Sequence, residues 1–259
     1  MNHFNTNMHF IAYFDILGYK QLVKSMEIFR IAQLIEETIK LARKLIKQLD
    51  EDDSPSDIKL RVFSDNFFVC AKYDWYGLVI MTHFIQQYLV RQGIFIRGAM
   101  CHGEILFTDE VICGQGLIDV YSLESELAIF PRVIIDDSYI EGAKVMYSNE
   151  QKRELTIDDV YKVLQESGAY KIDFDGFKVI DYLNSMLATA LHLLAENNEE
   201  GHHKASTNFL TTLEIHKQLI ISKLRENQGN LRVLQKFLWC KGYHNSFCRS
   251  YGANESIID

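Results

Sequence analysis

The feature that most constrains the fold is the order in which strand-like and helix-like apolar segments alternate along the first half of the chain. Residues 9–17 are rich in β-branched and aromatic side chains, which predicts a strand, and Gly18 ends it. Over residues 21–49, apolar side chains recur at helical spacing, which predicts an amphipathic helix. Two further apolar runs, 58–63 and 66–71, follow each other so closely that they predict a β-hairpin.

This alternation continues through two more helices and several strands. Its order is β-α-β-β-α-β followed by further β, α and β, which is typical of an α+β fold with a ferredoxin-like antiparallel sheet and helices on one face. His102-Gly103 separates two of the strand-like runs, so we expect a tight turn there. The predicted helices are 76–91 and 117–128, and the predicted strands are 94–100, 104–108 and 132–135.

The remainder of the chain predicts a second, mainly helical part. Residues 170–183 predict a hairpin, and the polar stretch 196–207 predicts a loop. A helical pattern follows, and the basic residues within it, including Lys236, predict a solvated helix face. We therefore expect a catalytic domain over 1–183 and a C-terminal extension over 184–259 that packs on it.

Composition and charge narrow the classes of function. Apolar residues make up 47% of the chain, which permits a sizeable core, and the net charge is −8. An acidic chain is poorly suited to bind the phosphate backbone of a nucleic acid, so we expect no nucleic-acid partner. The cysteine count is odd, at 5, and the sequence contains no Cys-x-x-Cys pair, which favours reduced thiols in the cytoplasm. We expect neither a signal peptide nor direct membrane contact.

Two carboxylates interrupt the apolar segments. Asp15 stands between Phe14 and Ile16 in the first predicted strand, and Asp65 lies at the tip of the predicted hairpin. An ionised carboxylate beside a buried strand is costly unless it is paired or bound to a metal. Because the first strand of a β-α-β-β unit lies beside the hairpin, both groups are expected at one end of the sheet, where they can hold two divalent cations for phosphoryl transfer. The alternative for Asp65 is a turn residue that accepts hydrogen bonds from its own backbone.

Several segments of the chain together carry a family resemblance. They are FDILGYK at 14–20, FSDNFFV at 63–69, FIRGAMCHGEI at 95–105, CGQGLIDVYSLES at 113–125, FPRV at 130–133, and KFLW at 236–239 with YHN at 243–245. In this order they resemble the class III nucleotidyl cyclases, and among these the bacterial Pycsar-type cyclases of anti-phage systems, which make cyclic pyrimidine nucleotides. The resemblance covers residues 9–136 well and the remainder more loosely.

The resemblance implies a reaction, its ligands and an assembly. Asp15, Asp65 and the Ile16 carbonyl would bind two Mg²⁺ or Mn²⁺ ions. The ribose 3′-hydroxyl of a nucleoside triphosphate would attack the α-phosphate and expel pyrophosphate. Class III sites form between two chains, so the resemblance also implies a head-to-tail homodimer with shared active sites, in which 95–105 and 113–124 face the partner's site. The backbone N–H groups implied to hold the triphosphate are those of Leu17, Gly18, Tyr19 and Lys20.

The chain departs from the family pattern at the positions that recognise the base. Arg61 stands where purine cyclases carry a lysine, and Val111 stands where they carry its aspartate partner. Valine cannot accept a hydrogen bond from the amino group of adenine, whereas Arg61 can donate to the carbonyl groups of uracil. We therefore predict UTP as the first substrate and CTP as the second; the exclusion of GTP depends on the resemblance.

The chain also departs from the pattern where the family stabilises its transition state. Ile118 and Ser122 replace the usual asparagine and arginine. Arg97 and Arg132 are the candidate replacements, Arg97 as a catalytic residue and Arg132 as a substrate-binding one, because guanidinium groups suit phosphate. The alternative for each is an arginine on a strand surface. A second class of function also stays open: a catalytically silent cyclase-like module that binds a nucleotide or a partner.

Overall fold

The structure is a computed structural model that describes residues 7–49, 57–184 and 199–259. Within these residues, eight strands form one sheet in the order β2-β3-β1-β4-β6-β8-β7, and β5 pairs with β4. The strands are β1 Asn7–Ile16, β2 Lys59–Phe63, β3 Asn66–Ala71, β4 Ile96–Phe107, β5 Ile112–Cys113, β6 Val133–Ile135, β7 Tyr170–Ile172 and β8 Lys178–Ile180.

Helices connect and cover these strands. The helices are α1 Tyr19–Ser25, α2 Ile28–Leu49, α3 Trp75–Arg91, α4 Gln115–Ser122, α5 Asp137–Gln151, α6 Ile157–Glu166, α7 Glu199–Glu226 and α8 Leu231–Ser250. A π-helical turn, Leu123–Leu127, extends α4, and a short 3₁₀ turn, Asn254–Ser256, follows α8. None of the helices in the described ranges is long and apolar enough to span a bilayer.

The first four strands have the predicted α+β, ferredoxin-like arrangement. Strand β1 lies between β3 and β4 and is antiparallel to both, and β2 completes the hairpin with β3. Strand β4 pairs in parallel with β6, and the β7–β8 hairpin, predicted over 170–183, extends that edge. The βαββαβ order is therefore confirmed.

Alternate residues of β1 enter two separate cores, because successive side chains of a strand point to opposite faces. Phe10 and Phe14 pack in the larger core, beneath α2, α3 and the C-terminal helices. Ile11 packs on the opposite face in a smaller core with Val120 of α4, so the expectation that helices lie on one face of the sheet only is wrong. Helices α7 and α8 add Leu213, Ile220 and Phe237 to the larger core, so the C-terminal helices pack directly on the sheet domain.

The predicted turn at His102-Gly103 is wrong. One continuous strand, β4, runs through both residues, and the His102 ring stacks on Phe10 with centroids 4.5 Å apart. Gly103 instead allows α4 to approach β4 closely, since a Cβ on Gly103 would lie 2.6 Å from the Cα of Gly116 in α4. Helix α4 can therefore lie directly against β4.

Two other predictions about the elements need correction. The helix predicted over 21–49 is divided into α1 and α2 by Met26, whose backbone is extended. The loop predicted over 196–207 is wrong from residue 199 onward, where α7 begins, and residues 196–198 lie outside the described ranges. Helices α5 and α6 were not predicted. All five cysteines are free thiols, and four of them are buried.

Candidate metal and nucleotide site

The two candidate metal-binding aspartates lie at the same end of the sheet. Asp15, near the end of β1, pairs in register with Asn66, the first residue of β3. The Ile16 N–H donates to the Asp65 carbonyl at 3.2 Å. Ser64 holds the hairpin turn in the left-handed region, with φ of 58°, which places Asp65 beside β1. The two carboxylate-bearing residues are thus neighbours across the β1–β3 ladder.

An arginine on the neighbouring strand forms an ion pair with the Asp15 carboxylate. Arg97 of β4 is the register partner of Asp15. Its Nε donates to Asp15 Oδ1 at 3.1 Å and its Nη2 donates to Oδ2 at 3.2 Å. The same Nη2 lies 2.8 Å from Oε1 of Glu124, a buried residue of the π-helical turn. One guanidinium therefore balances two carboxylates within a single chain.

Glu124 was not predicted from the sequence, although it closes this cluster. Burial, followed by the negative charge of Asp15, raises the pKa of Glu124 despite the opposing charges of Arg97 and Lys236. Its Oε1 lies within ion-pair distance of Arg97 but has no well-aligned hydrogen-bond donor among the described residues. The carboxylate therefore retains acceptor capacity for a further donor or cation.

A short hydrogen-bonded chain orients the hairpin tip. The Tyr13 hydroxyl donates to Asn66 Oδ1 at 2.6 Å, and Asn66 Nδ2 donates to Asp65 Oδ1 at 3.3 Å. Burial and the charges of Glu124 and Asp15 raise the pKa of Tyr13 to about 12. The phenol therefore stays protonated at neutral pH and fixes the Asn66 amide, which in turn supports Asp65.

The segment that follows Asp15 differs in part from the expected phosphate cradle. The Leu17 N–H donates to the Phe95 carbonyl at 2.8 Å, so the assignment of this amide to a phosphate is wrong. Gly18 has a φ of 79° and precedes α1. Tyr19 and Lys20 are the first residues of α1, where backbone N–H groups lack intrahelical acceptors.

A cavity of about 320 Å³ adjoins this segment, and we call it the α8 cavity. Its walls come from the end of β1, α1, the α3–β4 connection, and helices α7 and α8. Lys236 of α8 lines it and is half-buried, so the prediction that this lysine belongs to a solvated face is wrong. The lining residues are Ile16, Leu17, Gly18, Gln21, Leu22, Ser25, Gly93, Ile94, Phe95, Lys223, Glu226, Asn227, Asn230, Val233, Lys236 and Phe237.

Arg61, the predicted base-recognition residue, lies elsewhere on the surface. Its Nη2 contacts Asp109 Oδ1 at 3.3 Å, and its guanidinium lies 5.3 Å from the centroid of the Phe107 ring. A separate cavity of about 510 Å³ includes these three residues. Arg61 does not line the α8 cavity. Within one chain, the predicted base-binding residue and the α8 cavity are thus separate features.

Arg132 cannot act as the predicted substrate-binding residue. Its side chain is only 1% exposed, and its guanidinium pairs with Asp173 and Asp175 of the β7–β8 turn. It lies between aromatic rings, 5.1 Å from the centroid of Phe130 and 5.9 Å from that of Trp239. Burial opposes ionisation of Asp175, but hydrogen bonding and the charge of Arg132 outweigh it and lower the pKa of that carboxyl. The arginine therefore anchors the sheet edge to α8.

The segments expected to face a partner chain behave differently from each other. Residues 96–107 form the central strand β4, and most of its side chains up to residue 105 are buried within the chain, which counts against the expectation that 95–105 faces a partner. Helix α4 remains available, since Ile118 and Tyr121 are both more than half exposed. Ser122 ends that helix.

The donor set fits a divalent cation that also binds substrate. No group of three or more His, Cys, Asp or Glu side chains within the described ranges is arranged to hold a metal. Two carboxylates and nearby main-chain carbonyls nevertheless match Mg²⁺, which commonly binds through one or two carboxylates together with substrate phosphates and water. Arg97 occupies Asp15 but already contacts Glu124, which can receive the guanidinium if a cation binds Asp15.

Comparison with known proteins gives only distant structural similarity. No protein-family model matches the chain, and no curated protein matches it in sequence. The guanylyl cyclase domain of the RhoGC fusion protein from Blastocladiella emersonii aligns with a TM-score of 0.46 and 10% identity, covering 68% of this chain and 96% of that one. The guanylate cyclase domain of RhGC from Catenaria anguillulae gives 0.44 and 13%, covering 54% and 84%. The adenylyl cyclase CyaB from P. aeruginosa gives 0.41 and 16%, covering 54% and 82%.

Proposed function

We propose that this protein is a metal-dependent nucleotidyl cyclase that converts a pyrimidine nucleoside triphosphate, preferably UTP, to the 3′,5′-cyclic nucleotide and pyrophosphate. The observation that carries the proposal is that Asp15 lies near the end of β1 and Asp65 in the β2–β3 turn beside it, joined by the Ile16–Asp65 backbone hydrogen bond of 3.2 Å. Apolar strands lead both carboxylates to one end of the sheet, where they repel unless cations lie between them.

The reaction exchanges one phosphorus–oxygen bond for another and releases a proton. The ribose 3′-oxygen loses its proton to water and bonds to the α-phosphorus, the bond from that phosphorus to the bridging oxygen breaks, and pyrophosphate leaves. Two divalent cations, Mg²⁺ or Mn²⁺, would supply hydroxyl activation and neutralise phosphate charge. Asp15, Asp65 and the Ile16 carbonyl would hold them, while the Tyr13–Asn66 pair orients Asp65.

Arg97 has a defined place in this proposal. It lies in the same chain as Asp15 and donates hydrogen bonds to both oxygens of that carboxylate. Its guanidinium therefore supplies a positive charge to the site. Transfer of the guanidinium toward Glu124 frees Asp15 for a metal ion and leaves a cation beside the reacting phosphate, where charge develops in the transition state.

The choice of base depends on Arg61 and on the resemblance to pyrimidine cyclases. Arg61 can only donate hydrogen bonds, which suits the two carbonyls of uracil better than the single carbonyl of cytosine. The exposed Phe63 and Tyr121 rings are available for stacking. A homodimer with shared sites and a role in anti-phage signalling belong to the same proposal and depend on the resemblance.

A second candidate is a cyclase-like module that binds a nucleotide without turning it over. The bidentate Arg97–Asp15 pair favours it, because a carboxylate neutralised by guanidinium has less need of a metal ion. Ile118 and Ser122, which cannot act as cations, favour it too.

Product analysis separates the two candidates. Pure protein is incubated with Mn²⁺ and each of the four nucleoside triphosphates, and the products are identified by liquid chromatography and mass spectrometry. The cyclase proposal predicts cyclic UMP as the main product, with less cyclic CMP. Binding of UTP in Ca²⁺ without any product in Mn²⁺ would support the silent module, and cyclic AMP as the main product would contradict the assignment of Arg61.

A further inference from the structure

Lys236 places a positive charge at the α8 cavity, and no described group forms an ion pair with it. Lys236 makes no hydrogen bond or ion pair within 4.0 Å among the described residues, although it is half-buried. The other lysine in the cavity lining, Lys223, forms an ion pair with Glu226, its Nζ lying 2.8 Å from Oε2 of that residue. Among the described charged side chains that line the cavity, Lys236 is therefore the one without a direct ion-pair partner.

The remaining polar side chains in the walls are largely committed to the backbone. Asn230 accepts from the Val233 N–H and caps α8, and Asn227 donates to the Lys223 carbonyl. The Ser25 hydroxyl donates to the Gln21 carbonyl. Because the Lys223–Glu226 pair is neutral overall, the cavity carries a net positive charge from Lys236.

Lys236 also lies within electrostatic reach of the carboxylate site. Burial, followed by the positive charge of Arg97, lowers the pKa of Lys236, while Asp15 and Glu124 oppose that shift. The same cavity includes Leu17 and Gly18, the residues that directly follow the metal-binding end of β1. Lys236 thus lines the α8 cavity and is near enough to Asp15 and Glu124 to interact with them electrostatically.

We propose that Lys236 binds the polyphosphate chain of the nucleotide, so that the C-terminal extension completes the active site within its own chain. This inference rests on the proposed function, because it assumes that a nucleotide bound near Asp15 extends its phosphates toward Gly18. A partly desolvated ammonium gains more from a phosphate oxygen than a hydrated one does, since the dehydration cost has already been met in folding. The cavity volume of about 320 Å³ lies at the lower end for ligand sites, which suits part of a nucleotide better than all of it.

The proposal assigns a role to a motif that core packing does not explain. In the segment Lys236-Phe237-Leu238-Trp239, Phe237 packs in the larger core and Trp239 stacks on Phe130, with centroids 5.8 Å apart. These two aromatic side chains leave α8 in different directions and both pack against the sheet domain, which fixes the position of the helix. They hold Lys236 at the cavity that the residues at the end of β1 also line.

The test measures anion binding separately from turnover. Isothermal titration of the full chain with sodium tripolyphosphate, in Mg²⁺, is carried out on wild type, Lys236→Gln, Lys236→Arg and the control Lys162→Gln, which removes an exposed lysine of α6. We expect Lys236→Gln to weaken binding about tenfold or more, Lys236→Arg to retain most of it, and the control to match wild type. Titrations with pyrophosphate and orthophosphate show whether Lys236 contributes to binding of the triphosphate chain of the substrate or only to binding of the pyrophosphate product.

The outcomes distinguish this inference from the cyclase proposal. Wild type that fails to bind tripolyphosphate, or Lys236→Gln that binds it like wild type, would overturn the role of Lys236 even if cyclic nucleotide is formed. If tripolyphosphate binding depends on Lys236 but no nucleotide gives a cyclic product, the anion site is supported and the cyclase proposal is wrong. Thermal unfolding of each variant shows whether a loss of binding reflects a loss of fold; Lys236→Met serves as a second neutral variant if Lys236→Gln unfolds.

Discussion

Arg97 Nε and Nη2 donate to the two carboxylate oxygens of Asp15 at 3.1 Å and 3.2 Å, across the antiparallel β1–β4 ladder. The pair explains how an aspartate can be tolerated near the end of an otherwise apolar strand without a bound metal ion. It also means that a divalent cation must compete with a guanidinium for Asp15, and Glu124 is the group that can receive the displaced arginine.

We predict that Arg97→Gln destabilises the protein at pH 7 by about 2 kcal/mol, because it leaves the buried Glu124 without its cation. The loss should shrink as the pH falls through the raised pKa of Glu124, since a protonated carboxyl no longer needs a partner. Urea denaturation at several pH values measures both effects. Arg61→Gln is the control, because its exposed pair with Asp109 contributes little.

We predict that Arg132→Met lowers stability by about 3–5 kcal/mol, because it leaves the nearly buried carboxylate of Asp173 unpaired. Adding Asp173→Asn should recover part of the loss by removing that charge. Turnover per folded molecule should match wild type. If Arg132→Met folds normally but no longer binds nucleotide, this structural interpretation is wrong and Arg132 contributes to substrate binding.

We predict a loss of stability in mild acid that depends on His83. Burial lowers the pKa of His83 to about 4, while its unfolded value lies near 6.5. The unfolded state therefore binds the proton first, so the stability contribution is full above about pH 6.5 and is lost as the pH falls toward 4. For His83 alone the loss between pH 7 and pH 5 is about 2 kcal/mol. Urea midpoints of wild type and His83→Gln test this, and an equal loss in both would contradict it.

We predict that Gly103→Ala costs about 1–3 kcal/mol, because its Cβ would lie 2.6 Å from the Cα of Gly116 and would push α4 off the sheet. Gly242→Ala is the matched control. Gly242 is exposed within α8 and a Cβ there meets nothing within 4 Å, so alanine should be neutral or stabilising by up to about 1 kcal/mol. Thermal unfolding of both variants decides the comparison.

The sequence was sufficient where a local pattern determined the structure. Ser64-Asp65 between two apolar runs predicted a tight hairpin, and the β-α-β-β order of the segments predicted β1 beside it. The sequence-based prediction was wrong at His102-Gly103, because a glycine that permits close packing of α4 has the same local pattern as a glycine in a turn. The contact that identifies its role, with Gly116, is thirteen positions away in the sequence.

The candidate site was predictable only in part, for the same reason. Asp15 and Asp65 interrupt apolar runs and could be found from them, whereas Glu124 and Lys236 are single charged residues in helical segments, where a charge is typical of a surface position. Their burial comes from long-range packing of the π-helical turn and α8 on the sheet. Arg132 shows the converse, because a motif position expected to meet phosphate is committed to two carboxylates of the β7–β8 turn.

The most direct test of the central claim compares cyclic UMP formation from UTP and saturating Mn²⁺ by wild type, Asp15→Asn, Asp65→Asn and the exposed control Asp158→Asn. Asn preserves the size of each side chain and removes the charge that a cation requires. We expect product from wild type and Asp158→Asn, and a loss of at least about a hundredfold in each site variant, because bound metal contributes several kcal/mol to such reactions. Wild-type rates of cyclic UMP formation in either Asp15→Asn or Asp65→Asn would contradict this expectation.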